Sequence, residues 1–248
     1  MKYIPYEKQY NLTTNDKDMF SNITPTAILN VLQDISNFDA SRLGCGYKEL
    51  KAKDIIWILA RAEYQILNVL KDFSSPIKVI TYPNPSNGFF VDRNYKILDE
   101  NDGILLVAKF KWAFISFTNR NLIPFNKVIE KDEYEYPTFK EIEEELKAIN
   151  INEKSLLNTY EFEVNYSMCD ENKHMNNTKY FQELLNACEL KEDEFICAMK
   201  CNYLKELPLH SKVTIKYLKT KDKIESIFYL NNQTATKIIL FLKEKHSA

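Results

Sequence analysis

Glycine is scarce in this 248-residue chain, with only four residues. Neither a phosphate-cradling loop nor a dinucleotide-binding fingerprint can be written from so few. Cysteine occurs five times, as Cys45, Cys169, Cys188, Cys197 and Cys201. That is an odd number in a chain long enough to bury a core, which argues against a disulfide framework. Cys197 and Cys201 stand four apart, but no second Cys or His pair follows at zinc spacing, and no metal or cofactor is expected. Long apolar runs are missing, so no membrane insertion is expected. Charge of one sign is missing too: 33 basic against 35 acidic side chains leave a net charge of −2. This gives no global reason to expect nucleic-acid binding. Lys216, Lys219, Lys221 and Lys223 form a local basic cluster that could hold an acidic partner, although a solvated strand end is the plainer reading. The first residues, MKYIPYEKQY, lack the apolar core of a signal peptide, and with the cysteine usage this points to a cytoplasmic protein.

What is present is 45% apolar residues, the composition of a soluble globular chain of one large or two smaller domains. An internal repeat organises it. At an offset of 154, Glu7 falls on Glu161, Asn11 on Asn165, Asp16 on Asp170, Asn22 on Asn176 and Thr24 on Thr178. In the first copy, Thr24-Pro25 marks a helix start. Ala27, Ile28, Val31, Leu32, Ile35 and Phe38 form its apolar stripe, and Gly44 its stop. Alternating runs then predict strands over Ile56 to Ile66, Ile77 to Tyr82, Phe89 to Leu98 and Ile104 to Phe117. The second copy repeats the order, with a strand around Tyr160 to Tyr166, a helix from about Thr178 to Ala187, and strands over 198–203, 212–218, 226–230 and 235–242. The pattern predicts an α+β protein, a helix packed on a curved, mainly antiparallel sheet, twice over. The predicted domains are residues 1–125, a charged connector over 126–158 that includes a surface helix within EIEEELKAIN, and residues 159–248.

Chemistry-bearing residues concentrate before the second helix, where Asp170, Asn172 and His174 alternate along CDENKHMNNTKY. Alternate residues of an extended segment share a face, so a carboxylate, an amide and an imidazole can meet there. In that arrangement Asp170 could orient or charge-stabilise the ring, His174 move a proton or polarise a carbonyl, and Asn172 hold an oxyanion or a water. Asn and Asp at such a place are more often caps and turn formers, the role expected of Asn176 and Asn177. At the offset of 154, Phe20 takes the place of His174 and Asp18 that of Asn172. One copy therefore looks equipped for chemistry and the other structural. Glu206 and Cys169 are further candidates, Glu206 with no local spacing that links it to His174.

The run from Asp170 to Tyr180 resembles the catalytic signature of the plant and bacterial acyl-acyl-carrier-protein thioesterases. Leu43-Gly44-Cys45-Gly46, Trp57 to Arg61, Ile77 to Pro83, Arg93 and Trp112 to Arg120 resemble that family's N-terminal blocks in order. The resemblance implies two tandem hot-dog repeats, each a long helix wrapped by a curved sheet. It implies hydrolysis of fatty acyl thioesters on acyl carrier protein, with Asp170, Asn172, His174 and Glu206 as catalytic residues. The acyl chain is expected in the N-terminal repeat beside Trp57. Plant members carry a Cys directly after the Glu where this chain has Leu207, which favours a carboxylate acting on water or on the thioester over a Cys nucleophile. An acyl-coenzyme A thioesterase, a hot-dog dehydratase and a non-catalytic acyl-binding protein are the alternatives. A monomer or weak homodimer is expected.

Overall fold

The structure is a computed structural model that describes residues 2–68, 76–85, 88–129 and 135–245. It divides into two compact units, one formed by residues 1–13 and 30–146, the other by 14–29 and 147–248.

In the first unit, strand β1 (Tyr6–Tyr10) pairs with β3 (Ile77–Pro85), β3 with β4 (Phe90–Leu98), β4 with β5 (Ile104–Ser116) and β5 with β2 (Ile55–Ile66), all antiparallel. A two-residue strand, β6 (Leu122–Ile123), adds to β5. Helix α1 (Pro25–Arg42) starts where Thr24 Oγ1 accepts the Ala27 amide, a capping bond that satisfies one of the helix's orphan donors. It stops at Gly44, whose φ of 69° lies in the left-handed region, with the Cys45 amide reaching back to the Ala40 carbonyl. This is the closure that glycine permits without a Cβ penalty. A short helix, α2 (Tyr47–Lys51), follows.

The predicted stripe of α1 is buried from Ala27 to Ile35, with Leu29 added to it. Phe38 is the exception: it is 44% exposed and lies under the Lys8 ammonium, 3.8 Å from its ring centre. Asp39 is buried in its stead. Strand β2 also departs from simple alternation. Its register with β5 slips between Leu59 and Arg61, so Leu59 rather than Ile58 or Ala60 is buried, the effect of one extra residue in a ladder.

In the second unit the order is β8 (Glu194–Tyr203), β11 (Gln233–Glu244), β10 (Lys223–Leu230), β9 (Lys212–Lys219) and β7 (Asn158–Glu163), again antiparallel. Helix α3 (Lys179–Ala187) buries Tyr180, Phe181 and Leu184. The β10–β11 hairpin turns through Asn231 and Asn232, both at positive φ, the mirror-type turn that matches strand twist. The lysine cluster follows the plainer reading. Lys219 pairs with Glu194, Lys221 with Glu244 and Lys223 with Glu225, while Lys216 lies over the Tyr229 ring.

The surface helix expected in the connector is not formed among the described residues. Residues 135–152 have no helical turn, and residues 130–134 of the connector lie outside the described part. The reason is a competition for carbonyls. The buried Lys109 ammonium donates to the Ile142 and Glu144 carbonyls at 2.7 and 2.5 Å, and Arg61 donates to the Leu146 carbonyl at 2.5 Å. Those oxygens would otherwise accept helical amides. Ile142 and Leu146 are buried, anchoring this irregular segment to the first unit.

Candidate functional site

In the second unit, a short 3-10 turn at Tyr166–Met168 leads into a tight loop. Its geometry comes from Asp170, whose amide donates to the His174 carbonyl and whose Oδ1 accepts the Asn172 amide at 2.8 Å. Lys173 sits at φ 63° between them. The Asn176 side chain then accepts the amide and hydroxyl of Thr178, closing the turn into α3. The N-cap position itself is Thr178, whose side chain makes no capping bond, so Asn176 serves as a turn former ahead of the cap.

The residues after β8 are laid alongside this loop. His174 bridges Pro208, the Met175 amide donates to the Leu207 carbonyl, and the Tyr203 hydroxyl donates to the Asn177 carbonyl at 2.8 Å. These bonds bring together two segments that sequence spacing left unconnected. His174 Nδ1 lies 3.7 Å from Glu206 Oε2, with the imidazole 27% and the carboxylate 40% exposed. Nδ1 is buried and has no hydrogen-bond partner among the described residues, a costly state that a water or substrate atom would relieve.

Asp170 stands differently from the expectation that it orients the ring. Its carboxylate accepts from the loop backbone at the Asn172 amide, and the carboxylate beside the imidazole is that of Glu206. Asn172 is half-buried next in the loop. Cys169 is half-buried, and burial followed by the Asp170 charge pushes its thiol up from the ordinary value. A thiol so placed stays protonated at neutral pH and is a poor nucleophile. Leu207 is buried beside the site. Tyr203 was not singled out from sequence. Its role as the tether between strand end and helix start has no local signature, because its partner lies 26 residues earlier.

The first copy of the loop shows which features are structural, and it corrects the register of the repeat. Asp18 bonds the Asn22 carbonyl through its amide and the Phe20 amide through Oδ1, with Ser21 at φ 64°. These bonds match those of Asp170, His174, Asn172 and Lys173 at an offset of 152, not 154. Asp18 therefore stands for Asp170, Phe20 for Asn172 and Asn22 for His174. The matched Asp in both copies builds the loop, whereas the imidazole occurs only in the second, where the first copy has Asn22, and the amide at the Asn172 position is replaced in the first by Phe20.

Trp57 lies in the first unit, within its apolar cluster. Its Nε1 donates to the Cys45 carbonyl at 3.0 Å, and its ring centre is 3.7 Å from that of Phe114. It lines a pocket walled by Ala40, Leu43, Val91, Trp112 and Phe125, with Ser36, Asn37, Arg93 and Tyr136 also lining it. Behind the wall, Asp39 accepts from Tyr3 and Arg93, both at 2.6 Å, and from two nitrogens of Arg42. Burial works against the Arg93 charge, but Asp39 outweighs it and holds the guanidinium above its ordinary value. Burial pushes the Cys45 thiol up to about 12.

Comparison with known families matches residues 4–131 to the acyl-ACP thioesterase N-terminal domain and residues 151–240 to the acyl-ACP thioesterase C-terminal domain. Among solved structures, an acyl-ACP thioesterase from Bacteroides thetaiotaomicron shares the fold at 19% identity, TM-score 0.82, over 96% of this chain and 98% of that one. A 12:0-ACP thioesterase from Umbellularia californica does so at 14% identity, TM-score 0.84, over 99% of both chains. A MaoC-like dehydratase from Phytophthora capsici is less similar, at 10% identity and TM-score 0.51, over 77% of this chain and 70% of that one. No curated protein sequence matches significantly. The likeness to the two thioesterases makes the fold a tandem hot-dog.

Proposed function

Because the chain belongs to the acyl-ACP thioesterase family, and is thereby a thioester hydrolase acting on fatty acyl chains carried by acyl carrier protein, we propose that Glu206 and His174 carry out the hydrolysis. Residues 159–248 form the repeat that holds them, and residues 1–125 the repeat that holds the acyl chain, against Trp57 in its pocket. The observation that carries this reading is the buried, unpartnered His174 Nδ1 set 3.7 Å from Glu206.

Glu206 is half-exposed and able to take a proton from water. The hydroxide then attacks the thioester carbonyl carbon, and the electron pair of the C=O bond moves to oxygen. The side-chain amide of Asn172 stabilises that oxyanion. Collapse breaks the carbon–sulfur bond, and the carrier thiolate leaves with a proton handed on through His174. Asp170 acts as a positioning residue, holding Asn172 and His174 in one tight loop through their backbones. Cys169 takes no part, in keeping with its raised thiol. We read the enzyme as a cytoplasmic protein of fatty acid biosynthesis, a monomer or weak homodimer. Its five free cysteines support the compartment, and no helix among the described residues is long and apolar enough to cross a membrane.

The test is thiol release from acyl carrier protein and coenzyme A thioesters of graded chain length. Glu206→Gln and His174→Ala, each checked for folding, should lose about 10²- to 10⁴-fold in kcat, the usual worth of a positioned acid or base. Equal turnover by folded Glu206→Gln removes Glu206 from the chemistry. A preference for coenzyme A esters by the wild type moves the carrier assignment.

A further inference from the structure

The pocket around Trp57 is mainly apolar, with Ser36, Asn37 and Tyr136 as polar lining and Arg93 as its one charged residue. Its indoles and the Ser36 hydroxyl are already engaged. Trp57 Nε1 bonds the Cys45 carbonyl, Trp112 Nε1 lies 3.5 Å from the Tyr95 hydroxyl, and Ser36 Oγ shares a 2.7 Å bond with the same hydroxyl. Arg93 differs. Its side chain is 7% exposed, and only Nη1 is used, toward Asp39 Oδ2 and, at 3.3 Å, Thr81 Oγ1. Nε and Nη2 have no partner among the described residues, and Arg93 lines the pocket. A guanidinium carries five donors and no acceptor. Asp39 stands between Arg93 and Arg42, so one carboxylate is set against two guanidinium groups, and the local balance favours a further acceptor.

We propose that Arg93 makes this pocket selective for acyl chains that carry an acceptor oxygen, a hydroxyl or keto group, over fully saturated chains of the same length. The inference rests on the reading of this pocket as the acyl site and names the class of chain it prefers. A plain methylene chain packed against Arg93 would strip water from N–H groups and offer nothing in return. An oxygen on the chain restores the bond. A site built with a buried donor discriminates in this way, because the analogue lacking the acceptor leaves the donor unmade. Both walls are stiff: Asp39 is held by four donor atoms and the indole rings are held by their own bonds, so Arg93 cannot easily turn away.

The pocket carries its own reporter, since the only two tryptophans of the chain, Trp57 and Trp112, both line it. Tryptophan emission of the full-length protein is titrated with non-hydrolysable amide analogues of decanoyl thioesters. The series are saturated, hydroxylated at successive carbons, and keto at the same carbons. At least one oxygenated isomer should bind about tenfold or more tightly than the saturated chain, the difference one hydrogen bond to a charged group supplies. Arg93→Lys keeps the charge for Asp39 but loses the fork, and should bring that ratio close to one. Whichever of the two oxygenated series binds identifies the oxygen. If saturated and oxygenated chains shift the emission with equal affinity, the acyl-pocket reading stands and the selectivity is refuted. If no chain changes the emission, the pocket reading fails and the inference with it. If folded Arg93→Lys keeps the wild-type ratio, Arg93 is not the selecting group.

Discussion

Removing the charge of Asp39 should be among the most damaging single changes in the first unit, although it lies outside the catalytic cluster. The Asp39 side chain is fully buried and Arg93 is 7% exposed. Its two oxygens accept from Tyr3 at 2.6 Å, Arg93 at 2.6 Å, and Arg42 at 3.1 and 2.7 Å. Asp39→Asn keeps the shape and deletes the counter-charge, leaving a buried guanidinium uncompensated. Breaking a buried pair from one side costs about 3–5 kcal/mol, a large share of a total stability of roughly 5–15 kcal/mol. At about 2–4 °C per kcal/mol for a chain of this size, the melting temperature should fall by roughly 10 °C. The control is Lys221→Ala, which removes an exposed pair to Glu244 at 3.0 Å, with side chains 75% and 53% exposed. That change should cost less than about 1 kcal/mol. Thermal and urea unfolding, followed by circular dichroism, measure both. A further variant, Asp39→Leu with Arg93→Leu, removes both charges and should be less destabilised than Asp39→Asn. If Asp39→Asn unfolds with the Lys221→Ala control, or if the double variant is the worse of the two, the pair does not bear on stability as argued.

Four shorter predictions follow from the same geometry. Asn172→Ala should lower kcat by about 10²- to 10³-fold with a smaller effect on KM, as loss of an oxyanion donor does; a change confined to KM in steady-state assays would contradict the assignment. Asp18→Ala and Asp170→Ala both remove loop-building carboxylates, so both should lower thermal stability, but only Asp170→Ala should lower turnover; equal turnover in the two would end the distinction. Glu194 is held below the ordinary carboxylate range: burial opposes this, but hydrogen bonds from Lys219 and the Lys191 amide, with the lysine charges, outweigh it. Its contribution is thus present above the unfolded-state pKa and lost as pH falls through the lower folded value, so Glu194→Gln should flatten the acid side of a stability-against-pH curve measured by urea unfolding. Cys45, with its thiol at about 12, should resist alkylation by iodoacetamide at pH 7 in the native protein, while half-buried Cys169 reacts first; mass spectrometry of the modified peptides checks the order.

Much of this protein was legible in local pattern. Period-two runs placed the long strands, and Thr24-Pro25 and Gly44 marked both ends of α1, because capping and alternation act over a few residues. The Asp170 to His174 loop could be singled out, and the family resemblance pointed to Glu206. Where the reading failed, a distant group intervened. EIEEELKAIN has helix-forming composition, yet Lys109 and Arg61, from strands far back in the chain, take the carbonyls a helix would use. Phe38 was placed inside and Asp39 left unremarked, since nothing near Asp39 announces that Tyr3 and Arg93 will meet it.

The sequence by itself determined the elements, their twofold order and the identity of the chemical groups, because propensity, capping and composition are properties of neighbours along the chain. Tertiary structure alone decided that His174 faces Glu206 rather than Asp170, that the repeat runs at an offset of 152, and that one guanidinium lines a mainly apolar pocket. Those outcomes depend on hydrogen bonds between residues tens of positions apart, whose partners are set by how strands pair and how charges find counter-charges once water is excluded.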